Sequence, residues 1–171
     1  MNRQLFSVKR MYLKCVLSGV VVLAVVGAAS AQTLPKEGRY DTTSCWSGVS
    51  SLIDFSKTYS ALSYEMTGVV RSNQPGGLFD KNTFRCVGMN YSLDGKAGGT
   101  VVCEAVDPDG DKRLTFFTIA GDKVVRENVT GTGKFEGMVA SGTVSPLGPF
   151  PTIKPGTFQN CNHQTGTYKL K

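Results

Sequence analysis

Between residues 126 and 144 the chain gathers small residues in a pattern that suits a tightly curved sheet. Residues 126 to 130 read as a strand, Gly131, Thr132 and Gly133 as a turn, and residues 134 to 144 as a second strand carrying Gly137, Ala140, Ser141 and Gly142. Glycine inside a strand weakens it and marks a bulge, a bend or a close backbone approach. Several such points in succession fit a sheet that must curl, as a small barrel does. The pattern argues for an all-β fold and names no chemistry.

The remainder of the chain agrees with that class. Residues 38 to 45 and 48 to 55 read as opening strands with Trp46 as an anchor between them, and residues 61 to 71 alternate as a third. Pro75-Gly76-Gly77 marks a loop over residues 72 to 81. Cysteine-bearing strands follow at 83 to 92 and 100 to 106, then a turn at Asp107-Pro108-Asp109-Gly110-Asp111. Residues 114 to 119 place Phe116 and Phe117 on opposite faces, because strand side chains alternate. Ala120-Gly121-Asp122 turns the chain into residues 123 to 130. Four prolines (Pro146, Pro149, Pro151, Pro155) make an excursion of residues 146 to 156, and residues 166 to 170 close the sheet. About nine short strands separated by turns is the spacing of a sandwich or barrel.

The first 31 residues read as a signal peptide. Arg3, Lys9, Arg10 and Lys14 precede the apolar run 15 to 27, and Ala29-Ser30-Ala31 offers a cleavage site before Gln32. A transmembrane helix is the rival reading, but such a span needs ~20 apolar residues. This run is shorter and contains Ser18 and Gly19. Cys15 lacks the preceding small residues of a lipid-attachment site. The chain has 19 basic and 13 acidic residues, and losing the four basic residues of the leader leaves a net charge of +2. The remaining lysines and arginines are scattered singly, unlike the clustered footprint of a nucleic-acid binder. Residues 32 to 171 suit one domain with a sizeable core. Periplasmic or secreted localisation is expected, with no stable membrane span after cleavage.

Four cysteines then remain: Cys45, Cys86, Cys103 and Cys161. An even number in an exported chain suggests two disulfides, with three possible pairings. One is preferred on geometry. Asp94-Gly95 between apolar runs is a strong hairpin signal, and Cys86 and Cys103 lie equidistant from it. In a symmetric hairpin they stand opposite one another, within disulfide reach; Gly98-Gly99 offers another turn that would shift this register. Cys45 and Cys161 would then tie the ends of the domain together. No Cys-x-x-Cys is present and His163 is the only histidine, which argues against a metal site.

Other motifs read structurally. Gly131-x-Gly133-x-x-x-Gly137 misses the spacing of a phosphate cradle and precedes a strand rather than a helix. Asp107-x-Asp109-x-Asp111 resembles the start of a calcium loop, but Lys112 and Thr118 stand where an EF-hand wants glycine and glutamate. A solvated turn is preferred, with non-EF-hand calcium binding as the alternative. His163, between Asn160, Cys161, Asn162 and Gln164, reads as part of a polar loop held by a disulfide, and no nucleophile elbow accompanies it. Asn90-Tyr91-Ser92 and Asn128-Val129-Thr130 match glycosylation sequons, relevant to a eukaryotic export route only.

Gly131-Thr132-Gly133-Lys134-Phe135-Glu136-Gly137, followed by Ser141-Gly142-Thr143, resembles the glycine-patterned hairpin of allene oxide cyclase-like and dirigent-like barrels. Phe84-Arg85-Cys86-Val87-Gly88, Cys103-Glu104-Ala105-Val106-Asp107 and Gly166-Thr167-Tyr168-Lys169 are similar to segments of a group of small exported proteobacterial proteins. The first resemblance implies an antiparallel calycin-like barrel whose lumen holds small hydrophobic molecules; the second implies export and no particular activity. No catalytic motif of those barrels is recognised, and no catalytic residue, cofactor or metal is expected. The expectation is a single antiparallel barrel of eight or nine strands, preceded by a signal-peptide helix, that binds a small apolar or amphipathic molecule. Tyr64, Met66, Tyr91, Phe116 and Phe117 are the candidate wall residues. Two alternatives stand beside it: a cyclase or isomerase sited in the lumen, and an envelope interaction module with a filled core.

Overall fold

A computed structural model describes residues 34–171. The expected signal peptide lies outside the described residues. Among the described residues the chain forms eight strands: β1 (Glu37–Ser56), β2 (Tyr59–Ser72), β3 (Thr83–Leu93), β4 (Lys96–Val106), β5 (Lys112–Ala120), β6 (Lys123–Gly131), β7 (Val139–Pro146) and β8 (Thr157–Lys169). They make one antiparallel sheet in the order β6-β5-β4-β3-β2-β1-β8-β7, curled into a nearly closed barrel and consistent with a calycin-like fold. The two strands left without a ladder between them are β6 and β7.

The hairpin between β3 and β4 follows directly from sequence. Asp94 and Gly95 both have positive φ, 54° and 74°, the conformation of a two-residue turn whose twist matches its strands. Leu93 therefore pairs with Lys96, and the ladder carries Cys86 opposite Cys103, where they form a disulfide. Cys45 and Cys161 pair the same way across β1 and β8. The two bridges lie on different faces of the wall. Ser44 and Trp46 line the barrel interior, so alternation sends Cys45 outward, whereas Cys86 and Cys103 line the interior themselves.

One end of the barrel is plugged. Leu78 and Phe79, from the β2–β3 loop, and Phe135 and Met138, from the β6–β7 connection, pack with Tyr40, Val70 and Tyr168 into the main buried cluster. Phe79 meets the Tyr40 ring edge-on at 5.1 Å and stacks on Phe135 at 6.2 Å. Fully burying such a side chain is worth ~1.5–3 kcal/mol, so these residues anchor the closed end. The inner faces of β7 and β8 are thinned to make room: Gly142 and Gly166 pair across the ladder, and a Cβ at Gly166 would fall 2.6 Å from the Tyr40 hydroxyl.

Three expectations need correction. Residues 38 to 45 and 48 to 55 belong to one 20-residue strand, β1, because Trp46 turns inward without breaking the ladder. Residues 126 to 144 are not a hairpin: Gly133–Phe135 forms a 3₁₀ turn, and β7 begins only at Val139. The connection is spent tucking Phe135 and Met138 under the barrel, and β7 pairs with β8 instead of β6. The polar segment around His163 lies within β8 rather than in a loop, paired on both sides.

Candidate ligand-binding cavity

Above the plug the barrel encloses a cavity of about 310 Å³. Its wall is built by alternate residues of successive strands: Trp46 on β1, Met66 on β2, Phe84 on β3, Val101 on β4, and Phe117 and Ile119 on β5. Side chains on one face of a strand recur every second residue, so this set follows from strand phase alone. Only Val124 on β6 and Val144 on β7, among the wall residues described, fall in the exposed class, at 54% and 46%. The cavity therefore meets solvent at the seam where those two strands fail to pair.

The floor has a different chemistry. Arg113, near the start of β5, and Arg126, in mid-β6, both line the cavity. Their guanidiniums lie over the ring of Phe79, at 4.4 Å and 5.7 Å from its centre. The Nε–H of each is buried without an acceptor, and among the described residues neither has a carboxylate partner. Arg126 Nη1 lies 3.5 Å from the Tyr40 hydroxyl. Burial, with the neighbouring Arg126 charge acting the same way, pulls the Arg113 guanidinium well below the usual arginine range, to about 9. Arg126 is lowered too, by burial, with Tyr40 opposing. Such groups stay cationic at neutral pH and gain from any anion brought beside them.

The five wall candidates separate by phase. Met66 and Phe117 line the cavity. Tyr64 also points inward, but it packs edge-on against Phe158 at 6.0 Å, beside Gly88, outside the cavity wall. Tyr91 and Phe116 correct the expectation. Each sits one residue out of phase with an inward neighbour; Tyr91 lies over Gly98 on the outer surface, and Phe116 faces out between Thr115 and Phe117. Arg113 and Arg126 were not singled out from sequence. In β6 the polar Arg126 and Asn128 take the inward phase while Val125 and Val129 are left outside at 63% and 52% exposure, the reverse of the usual pattern.

The remaining motifs are structural. His163 Nε2 lies 2.7 Å from Asp41 Oδ1 on the outer surface. That bond, then one from Asn73, holds the Asp41 carboxyl below its ordinary value. In the acidic turn, Asp107 Oδ1 accepts the backbone N–H groups of Asp109 and Asp111 at 2.9 Å each. The Lys134 ammonium bridges Asp107 and Asp109 at 2.6 Å. A lysine thus stands where a cation would be held, and among the described residues no group of His, Cys, Asp and Glu has metal-binding geometry. Two disulfides suit an oxidising, extracytoplasmic compartment, and among the described residues no helix is long and apolar enough to cross a membrane. Comparisons with protein-family models, with curated proteins and with solved structures find no match to this chain.

Proposed function

We propose that this protein is an exported, calycin-like carrier that holds a small amphipathic molecule in its barrel without transforming it. The observation that carries this reading is the cavity of about 310 Å³, apolar along its wall and reached from one seam. Ligand sites are typically of this kind: concave, mostly apolar, with few polar groups that orient the guest. At ~30 Å³ per water-sized group the space suits roughly ten such groups, so a medium-chain molecule. A cyclase or isomerase in the same lumen would want a base there. The described wall offers Thr, Ser, Asn, Gln and Arg but neither carboxylate nor imidazole, and that composition supports holding over turnover.

The test uses the only tryptophan of the chain, Trp46, which lines the cavity. Decanol added to the purified protein should shift its emission saturably, and native mass spectrometry of protein from envelope extracts should show a copurifying small molecule. No emission change with decanol, and no adduct across several extracts, would sink the reading.

A further inference from the structure

We infer that the guest carries an oxyanion head, a carboxylate or phosphate, gripped at the cavity floor by Arg113 and Arg126, with its apolar tail lying along Trp46, Phe117 and Ile119 toward the β6/β7 seam. The inference rests on the lumen being a ligand site, and adds to it which end of the guest goes where.

The argument begins with how this protein treats its other cations. At the surface Arg85 meets Glu65 at 2.7 Å and Lys112 meets Glu104 at 3.0 Å. Those pairs sit where water would have screened the charges in any case. The two arginines enclosed by the wall, where a counter-charge matters most, have no carboxylate partner among the described residues. Both also lie against the Phe79 ring, close enough for their charges to repel. Enclosing like charges without a partner is costly to a fold. A bound oxyanion removes the difficulty: it neutralises both guanidiniums and gives their forked N–H donors the acceptors they lack. Beyond them the wall turns apolar, which fits a tail and disfavours a small free inorganic ion.

Four probes with ten-carbon chains decide the matter by Trp46 emission at low ionic strength: decanoate, decyl phosphate, decanol and decyltrimethylammonium. The expected result is that at least one anion binds about tenfold or more tighter than decanol, as charge-assisted hydrogen bonds predict, and that the cation binds weakest. Whichever anion ranks first identifies the head as carboxylate or phosphate. Arg113→Met should bring the preferred anion down to the affinity of decanol while leaving decanol unchanged, and Arg126→Met should do so in part. Equal binding of anions and decanol by the wild type overturns the inference yet leaves the cavity reading intact. Failure of all four probes overturns the cavity reading, and the inference with it. Should Arg113→Met not fold, the wild-type ranking and Arg126→Met still decide.

Discussion

Replacing Arg113 by methionine should stabilise the ligand-free protein. A guanidinium that burial pulls down to about 9, well below the usual arginine range, carries a cost to the folded state on the order of 5 kcal/mol at neutral pH. Methionine removes that cost and fills similar space with apolar surface. Set against it is the loss of the cation–π contact with Phe79, ~1–2 kcal/mol. The net gain is about 3–4 kcal/mol, within the ~1–4 kcal/mol found when buried charged groups give way to hydrophobic residues. For a domain of this size that raises Tm by about 9–12 °C. The pH dependence has a definite sign. The folded-state pKa lies below the unfolded one, so the cost is fully present below about pH 9 and relieved as pH rises above it. The advantage of the variant should therefore shrink at pH 10. Thermal melts followed by circular dichroism, disulfides intact, at pH 7 and pH 10 measure both effects. A variant that melts below wild type at pH 7 would refute the reasoning, since Arg113 would then be holding the fold together.

Three further outcomes are expected. Removing the Cys45–Cys161 bridge, which spans 116 residues, should cost about 5 kcal/mol, and removing Cys86–Cys103, which spans 17, about 3 kcal/mol in the chain-entropy account; guanidinium unfolding of the two double-alanine variants gives the order, and its reversal would count against that account. Lys134→Met leaves the Asp107 carboxylate, 1% exposed, without its cation and should destabilise by about 3–5 kcal/mol in urea, with Asp107→Asn in the same chain recovering part of the loss. Because His163 and then Asn73 hold the Asp41 carboxyl below 3.8, its favourable contribution is full above that pH and disappears as pH falls through the folded value. Asp41→Asn should thus be less stable than wild type at pH 6, with the gap closing as pH falls through the folded value, as acid-unfolding curves will show.

Turn chemistry was the most legible part of this chain. Asp94-Gly95 selects a two-residue hairpin, the hairpin sets the register, and the register brings Cys86 to Cys103. Those steps are local, so sequence carries them. The β6–β7 connection is decided by tertiary packing instead. Phe135 looks like a strand residue until the open end of a barrel needs a plug, and only then does a 3₁₀ turn become its best conformation. Strand phase was legible as alternation but not as direction. Phe116 and Phe117 are adjacent aromatics, and nothing local says which one faces the lumen. The arginines were hidden for a stronger reason. Arg113 follows an Asp-Gly-Asp turn and reads as its solvated flank, and Arg126 occupies the polar phase of β6, which ordinarily faces water. Around an interior cavity the rule that polar residues face outward does not hold, because the lumen is lined from the inward phase.

The seam between β6 and β7 bears on timing as well as on shape. Val124 and Val144 flank it, and no backbone ladder ties one strand to the other. Segments lacking such ties separate at low free energy. If the protein is the carrier proposed above, how long a guest resides is governed by how far two unlaced edges drift apart, independently of how firmly its far end is gripped. Whatever pries those edges open from outside could hasten unloading and never touch the deep end of the barrel.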